Sequence, residues 1–534
     1  MREKTTGDGE GIAVSVLIPA FKAQETVGAT VAAALRLPGA GEVIVADDGS
    51  GDETAARAEQ AGASRVLRLG RNRGKGAALR AALAEARGEV TALLDADLGA
   101  SASQAGALLS PVLEGGADMT LAVFPPADGK TGFGLALGLA RWGLWLLTGR
   151  RFAAPLSGQR AIPTALLREL GVADGFGVEV GLTAEALYRG ARVAEIPLAM
   201  EHSRTGRDLP GFLHRGRQFR DALKVISGLL YGVAWPRLAR RRAWVRGLLW
   251  FGAMAALVAL GWSPPGRASG GLLLLSLALW PVGIAICNLL GLRGENYLAR
   301  RVPKGYGLHL LLVAALGAAA LWRQGVGANL LALIAGFALL GLIDDIFGRP
   351  QVQGFRGHLA ALARGRLTTG ALKTLGGGAL ALWVGYRIAG GEPLGAVVNG
   401  LVIALAANLV NLLDVRPGRA IKGFLVMTAI ACATRPENLA ALLPLLAGLV
   451  VAAPADLAAR AMMGDTGSNL LGAAAGAALV MGLPLWGRAI AAALLLALNL
   501  LAERWPLGEV IARVPALRWA DELGRETAGK GLGR

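Results

Sequence analysis

Two aspartates one residue apart, Asp95 and Asp97, follow the apolar run VTALL at 90–94. Carboxylates placed this way at a strand end bring hard oxygen ligands to one point, where they can hold Mg²⁺ or Mn²⁺ beside a diphosphate. Alone the pattern is common in loops. Here a second acidic turn, Asp47-Asp48-Gly49-Ser50 with Asp52, follows another apolar run, EVIVA at 42–46, and its carboxylates can accept hydrogen bonds from a base or ribose. A third stretch, Asn72-Arg73-Gly74-Lys75-Gly76, is a glycine-flanked basic turn opening a helix, a pattern suited to an anionic diphosphate. Farther on, 201–217 gathers His202, Arg204, Arg207, His214, Arg215 and Arg217. Guanidinium groups fit phosphate oxygens in pairs, so phosphate binding and general attraction to anionic headgroups both remain open there.

The second half carries carboxylates in an unusual setting. Asp344-Asp345 (GLIDDIFG), Asp414 (NLVNLLDVRPGRAIK) and Asp465 (MGDTGSNLLG) each stand at the end of an apolar segment. Charges in such segments are costly and mark function or a protein-lined cavity. Helix packing can bring three such ends to one site that binds Mg²⁺ and a diphosphate, with Arg416, Arg419 and Lys422 supplying positive charge. His309 and His358 have no ligand partner at helical spacing, so surface or interface positions are expected. Cys287 and Cys432 lie in apolar runs and read as small buried hydrophobes.

The elements that position these residues have two textures. Short β-rich runs at 12–18, 42–46, 65–69, 90–94 and 118–123 alternate with Ala-rich helical patterns such as 25–36 and 75–87, which predicts a mostly parallel sheet covered on both faces. From Trp244 onward, apolar runs recur at 243–262, 271–290, 307–322, 328–345, 371–389, 395–413, 423–434, 438–456, 468–484 and 487–502. About ten transmembrane helices are expected, 423–434 being short for a span. Basic residues fall in alternate connections: Arg300, Arg301 and Lys304; Arg349, Arg356, Arg364 and Arg366; Arg416, Arg419 and Lys422. That asymmetry places both termini in the cytosol of a multi-pass protein of the cell (inner or plasma) membrane. The start, MREKTTGDGE, has no apolar core and is not read as a signal peptide.

Composition agrees with this division. The 534 residues are 54% hydrophobic and only 17% charged, too apolar for a soluble chain of this size. The net charge of +17 clusters beside apolar segments, as at Arg237, Arg240, Arg241, Arg242 and Arg246, which favours membrane lipids over nucleic acid. The expected organisation is a polar tail at 1–10, an α/β domain at 11–207, a basic amphipathic linker at 208–242, an all-α polytopic membrane domain at 243–505 and a cytosolic C-terminal tail at 506–534. The stretch 208–235 suits a helix lying on the membrane surface or packed on the first domain. The apolar stretch 133–148, which contains Arg141, reads as a buried or membrane-facing helix.

The first domain resembles the family 2 glycosyltransferases with a GT-A (Rossmann-like) fold, and within them the dolichyl-phosphate mannose synthase-like branch. The resemblance rests on VLIPAF at 16–21, VADDGSGDET at 45–54, NRGKGAAL at 72–79, DAD at 95–97, SGQRAI at 157–162, GFGVEV at 175–180 and ARVAEIPL at 191–198. It implies that Pro19, Asp47 and Asp48 border the nucleoside, with Lys75 beside the donor. It also implies that Asp95 and Asp97 hold the donor diphosphate, Asp97 most directly through Mg²⁺ or Mn²⁺, and that Ser157, Gly158 and Arg160 line the acceptor side. Glu179 falls where the family often has an acid near the acceptor; a simple charge at a helix N-terminus is the other reading. Arg204, Arg207 and Arg215 fall where the branch meets a lipid phosphate. Lys22 replaces the family's usual Asn, and Gly99-Ala100-Ser101 replaces its Gln-plus-Pro pattern.

From about Asn296 the chain resembles the polyprenyl-phosphate N-acetylhexosamine-1-phosphate transferases, the phospho-MurNAc-pentapeptide translocase family. By that resemblance Asp344 and Asp345 are paired catalytic aspartates near a lipid phosphate. Asn408, Asn411 and Asp414 form one motif, and Gly464, Asp465 and Ser468 another, with Asp414 and Asp465 as metal ligands. Pro417 stands where the family has a second aspartate, and the family's histidine-rich loop is absent. The implied enzyme passes a sugar from a nucleotide-sugar to a polyprenyl-phosphate or polyprenyl-linked acceptor in cell-envelope glycan synthesis. A bifunctional version also transfers a sugar-1-phosphate in the membrane domain; a transporter and a noncatalytic scaffold are the readings from other classes.

Overall fold

In a computed structural model the described residues are 13–124, 135–172, 177–200, 209–231, 267–321, 326–348 and 368–525. The chain forms two compact units, Met1–Gly228 and Leu229–Arg534. The division falls inside the stretch 208–242 read as a linker.

The first unit is built on seven strands: β1 (Val14–Ala20), β2 (Ala40–Asp47), β3 (Arg65–Arg68), β4 (Val90–Leu93), β5 (Met119–Val123), β6 (Arg160–Pro163) and β7 (Val193–Pro197). Their order is β3-β2-β1-β4-β6-β5-β7. All pairings are parallel except those of β6, which runs antiparallel to both β4 and β5. β1 reads VSVLIPA because it is covered on both faces: Val14, Val16, Leu17 and Ile18 have no exposed surface. The five strands anticipated in the sequence all form. β6 (RAIP) and β7 (VAEIP) were not anticipated as strands, since neither contains an apolar run long enough to signal one.

Helices α1 (Val27–Ala34), α2 (Thr54–Gln60), α3 (Lys75–Glu85), α4 (Gly106–Leu113), α5 (Leu135–Thr148), α6 (Thr164–Leu170), α7 (Val178–Tyr188) and α8 (Leu209–Leu230) complete the unit. At 14 residues α5 is too short to span a bilayer. Ala140, Leu144 and Leu147 bury its inner face while Leu135 and Trp142 stay exposed. Arg141 leaves the apolar face by donating from Nη2 to the Ala153 carbonyl oxygen at 2.6 Å. The α5 helix packs on α8, where a Cβ on Gly143 would collide with Ile226.

In the second unit nine of the ten anticipated apolar runs are helical; the first, 243–262, lies outside the described residues. They are α9 (Arg267–Leu289), α10 (Gly307–Leu321), α11 (Val326–Phe347), α12 (Thr369–Ile388), α13 (Pro393–Leu413), α14 (Arg419–Thr434), α15 (Asn438–Leu457), α16 (Gly464–Gly482) and α17 (Leu485–Arg504). Five segments are long and apolar enough to cross a membrane: Gly270–Leu289, Ala328–Phe347, Pro393–Leu413, Asn438–Leu457 and Leu485–Arg504. These five apolar helices mark the chain as membrane-associated. A short hairpin, β8 (Arg293–Glu295) with β9 (Arg301–Pro303), and two tail helices, α18 (Leu507–Arg513) and α19 (Pro515–Glu522), were not anticipated.

The α16 helix is the core of this unit, buried from Thr466 to Val480. Apolar side chains give no hydrophobic gain against lipid, so close packing has to hold such a helix. Its glycines allow this: a Cβ on Gly472 would stand 2.5 Å from Ala407 Cα, and one on Gly476 2.7 Å from Ile403 Cα, both on α13. Gly341 of α11 meets the Asp465 backbone just as closely. Gly472→Leu should therefore abolish recovery of folded protein from detergent extracts. Gly378→Leu should leave it unchanged, because nothing lies within 4 Å of a Cβ there. Size-exclusion profiles of the two variants check this.

Candidate active site

The carboxyl ends of β1, β2 and β4 share one edge of the sheet, with Ala20 opposite Asp47 and Leu93 opposite Leu17. Ligands of open α/β sheets bind beyond such strand ends. Asp47, Asp48, Asp95 and Asp97 leave the sheet there, and half-buried Pro19 lies at the end of β1. The DAD backbone is fixed from α1: Thr26 and Thr30 Oγ1 donate to the Ala96 carbonyl oxygen at 2.9 and 3.0 Å, and Thr30 Oγ1 accepts from Gly99 N–H at 2.9 Å.

Lys75 holds the site together. Its Nζ lies 2.6 Å from Asp95 Oδ1 and 2.9 Å from Glu179 Oε1. Gly74, at φ 89°, starts α3 so that Lys75 turns inward; Glu179 enters from the first turn of α7. Gln159 Nε2 donates to Asp95 Oδ2 at 2.8 Å. Burial alone would depress the Lys75 ammonium, but the charges of Asp95 and Glu179 outweigh it and hold the group above its ordinary range. Gly158 is required by this contact, since a Cβ there would stand 2.5 Å from Asp95 Oδ2 and 2.6 Å from Lys75 Nζ.

Arg160 is also buried, donating from Nε and Nη2 to the Ser157 carbonyl oxygen at 3.0 and 2.8 Å and from Nη1 to Thr183 Oγ1 at 3.1 Å. Burial lowers its pKa to about 10, against the nearby charges of Glu179 and Asp95, so it remains a cation at neutral pH. Ser157, Gly158 and Arg160 thus lie beside the aspartate pair, and Glu179 is both a helix N-terminal charge and an ion-pair partner. Two cations face two carboxylates in a setting where an uncompensated charge costs several kcal/mol.

The acidic turn is engaged by its own loop. Asp48 accepts from Arg73 and Gly74 N–H at 2.9 and 2.6 Å, and Asp47 Oδ1 from Ser50 N–H at 3.0 Å. Asp48 thereby fixes the basic turn that launches α3. Lys22 sits at φ 52°, a left-handed conformation in which Asn is tolerated and Lys is strained. Among the described residues no three His, Cys, Asp or Glu side chains converge as a metal cage. The donor set still fits a hard divalent ion, which is commonly held by one or two carboxylates with phosphate oxygens and water completing the shell. Both oxygens of Asp95 are engaged by Lys75 and Gln159, and half-buried Asp97 stands two residues on.

In the second unit the carboxylates of α11 and the start of α16 meet. Asp345, whose side chain has no exposed surface, pairs with Lys304 Nζ at 3.0 Å. It also accepts from Asp465 N–H, Thr466 N–H and Thr466 Oγ1 at 3.1, 2.9 and 2.7 Å, so it caps α16. Lys373 Nζ lies 2.6 Å from Asp465 Oδ2 and 3.9 Å from Asp344 Oδ2. Asp414 caps the end of α13, and Ser468 Oγ donates to Asn411 Oδ1 at 2.7 Å. Lys373 and buried Asp456, whose Oδ2 accepts from Gly418 N–H at 2.6 Å, were not singled out in the sequence, and Lys304 was read there only as a basic residue of a connection. Spacing gives no signal for a residue recruited from another helix.

Other candidates lie elsewhere. Asn408 donates to Asn499 Oδ1 on α17 at 2.6 Å. Arg419 is buried against Asp521 of α19, with Nε–Oδ1 2.6 Å and Nη2–Oδ2 3.0 Å, and Lys422 donates to the Asp521 and Leu523 carbonyl oxygens. Arg416 is exposed. His309 is fully buried, bonded to Ser276 at 3.1 Å, and Cys287 is buried with Cys432 partly so. Arg204, Arg207, His202 and His358 lie outside the described residues, as does the side chain of Arg215.

Residues 15–164 match the family model for glycosyl transferase family 2, so the first unit carries a glycosyltransferase family 2 domain. Glucosyl-3-phosphoglycerate synthase of Mycolicibacterium smegmatis is 34% identical over 201 residues, 34% of this chain and 65% of the relative. Glycosyltransferase AglJ of Haloferax volcanii is 31% identical over 192 residues, 35% of this chain and 62% of the relative. Dodecaprenyl-phosphate galacturonate synthase of Rhizobium johnstonii is 35% identical over 98 residues, 17% of this chain and 29% of the relative. The chain thus spans less than two thirds of the length of these curated relatives. Among solved structures, glucosyl-3-phosphoglycerate synthase from Mycobacterium tuberculosis with Mn²⁺, uridine diphosphate and phosphoglyceric acid is 27% identical. The match covers 40% of this chain and 79% of that one, with a TM-score of 0.35.

Removing the Lys75 charge should loosen the site from within. In Lys75→Met, Asp95 and Glu179 lose the cation they share, and local opening of β4 and α7 should become easier by about 3 kcal/mol. Lys75→Met with Glu179→Gln should recover part of that loss. Hydrogen exchange on the full chain, read by mass spectrometry at those two elements, measures both.

Proposed function

We propose that the chain transfers a sugar from a nucleotide-sugar to a polyprenyl phosphate at the cytosolic face of the cell membrane. The observation that carries this reading is the Asp95–Lys75–Glu179 set beside Asp97 at the carboxyl ends of the sheet. The family 2 match supports sugar transfer from an activated donor, and one relative, dodecaprenyl-phosphate galacturonate synthase, is named for an acceptor of this class. The five apolar helices supply a membrane in which such an acceptor resides.

A lipid phosphate is already anionic, so its oxygen attacks the sugar carbon without a strong base as the bond from that carbon to the diphosphate breaks. Glu179 suits this chemistry as the anchor of Lys75, which it meets at 2.9 Å, rather than as a base. Lys75 and Gln159 hold Asp95 in place, and Arg160 keeps a fixed positive charge behind the reacting groups. When bound to Asp97 with Asp95, Mg²⁺ or Mn²⁺ neutralises charge growing on the leaving diphosphate. Pro19, Asp47 and Asp48 border the nucleoside in this reading, and Arg204, Arg207 and Arg215 meet the lipid phosphate.

A second reading has its own observation: the adjacent Asp344 and Asp345 and the distant Asp465 gather around Lys304 and Lys373. There the membrane unit would itself move a sugar-1-phosphate onto the lipid and release a nucleoside monophosphate. Purified full-length protein with undecaprenyl phosphate, Mg²⁺ or Mn²⁺ and a panel of nucleotide sugars separates the two. The first reading expects nucleoside diphosphate release, lowered about 10²- to 10³-fold in Asp97→Asn, abolished by chelation and retained in Asp414→Asn. Nucleoside monophosphate release lost in Asp414→Asn supports the second. No turnover with any donor contradicts both.

A further inference from the structure

At the opposite ends of the helices that carry the lysine–carboxylate cluster lies a cavity of about 400 Å³. It opens among the start of α11, the end of α12, the α14–α15 turn, the end of α16 and the start of α17. Three arginines face it: Arg387, Arg435 and Arg488. On α16, Asp465 and the cavity residue Met481 are sixteen residues apart, about 24 Å at the helical rise. The cavity is therefore a separate site.

Its charge is one-sided. Among the described residues no carboxylate lines it, and none pairs with the three arginines. Glu392 caps α13 at Gly395 N–H, and exposed Glu437 pairs with none of the three. Arg488 is held in place, donating from Nε to the Leu483 carbonyl oxygen at 2.7 Å and from Nη1 to Asn399 Oδ1 at 3.2 Å. Asn399 is fully buried and itself fixed, its Nδ2 donating to the Gly385 carbonyl oxygen at 3.0 Å. The guanidinium is thus prepositioned, and among the described residues its Nη2 has no hydrogen-bond partner. Arg387 and Arg435 are exposed, and among the described residues their side chains have no hydrogen bond or ion pair.

The cavity's other wall is apolar, from buried Leu330 and partly buried Met481, while Asn438 adds a polar group at the floor. Like charges around one cavity repel unless an anion lies between them. Arginine is also disfavoured on the side of a membrane opposite the main basic loops, and here that is the side away from Arg416, Arg419 and Lys422. A volume of about 400 Å³ suits a small headgroup rather than a whole lipid.

We propose that this cavity binds a phosphate-bearing headgroup, with Arg435 and Arg488 gripping the phosphate, Arg387 closing over it, and the Leu330–Met481 wall receiving its apolar neck. The same chemistry would accept a soluble diphosphate. The test uses full-length protein in nanodiscs of phosphatidylcholine with phosphatidylglycerol, ejected into a native mass spectrometer to count retained phosphatidylglycerol, and calorimetric titration with inorganic pyrophosphate. Arg435→Gln and Arg387→Gln are the variants of choice, since neither side chain holds the fold. Arg488→Lys keeps the charge and loses the fork, and Arg504→Gln at the other end of α17 is the control.

Retention lost at least tenfold in Arg435→Gln, but not in Arg504→Gln, with no pyrophosphate binding, identifies a lipid headgroup. Saturable pyrophosphate binding to wild type that falls tenfold in the same variant identifies a soluble phosphate at the same arginines. Equal phosphatidylglycerol retention in wild type and Arg435→Gln, with no pyrophosphate binding, overturns the proposal. This outcome is independent of whether the first unit transfers a sugar.

Discussion

Lys75 lies between two carboxylates contributed by distant parts of the chain, Asp95 after β4 and Glu179 at the start of α7. Each member needs the others. Burial alone would depress the lysine ammonium, and the two carboxylates hold it above its ordinary range. The electrostatic cost of burial thus becomes a constraint on geometry. The rest of the unit follows from it. Gly74 takes φ 89° so that α3 starts with Lys75 inward, Asp48 fixes the turn ahead of it, and Gly158 leaves room for the contact. Asp97, two residues beyond Asp95, leaves the same edge of the sheet.

The second unit uses the same device in a different medium. Lys304 and Lys373 neutralise carboxylates that the helices α11 and α16 bring together, and glycine again permits the approach, since a Cβ on Gly464 would stand 2.7 Å from Asp345 Oδ2. Asp345 also satisfies the N–H groups at the start of α16, which would otherwise be orphaned. Its role in the fold is to position the start of α16. Arg419, which reads as a phosphate ligand by charge alone, instead ties the tail helix α19 to the bundle through Asp521.

The sheet was legible where strands are apolar runs covered on both faces, as in β1 and β4. It was illegible in β6, four residues led by a buried arginine whose place is set by β4 and β5. The aspartate pair was legible because its two members are adjacent in sequence. The partners of Asp95 were not: Lys75 lies in a turn whose glycines and charge point to a bound anion, and nothing local shows that its ammonium faces a carboxylate 20 residues on. In the membrane unit the apolar runs gave the helices and their ends gave the carboxylates. Lys373 and Asp456 came from other helices and Lys304 from the residue after β9, and the arginine cavity is assembled from five segments that no spacing connects.

The central claim is that Asp97, beside a preformed Asp95–Lys75–Glu179 set, holds a divalent ion together with a nucleoside diphosphate. Isothermal titration of the full chain with uridine and guanosine diphosphates, with and without Mn²⁺, tests it most directly. The account predicts saturable binding of at least one nucleotide that requires Mn²⁺ in the wild type and is lost in Asp97→Asn. Binding of equal strength with or without Mn²⁺, or undiminished in Asp97→Asn, would contradict it.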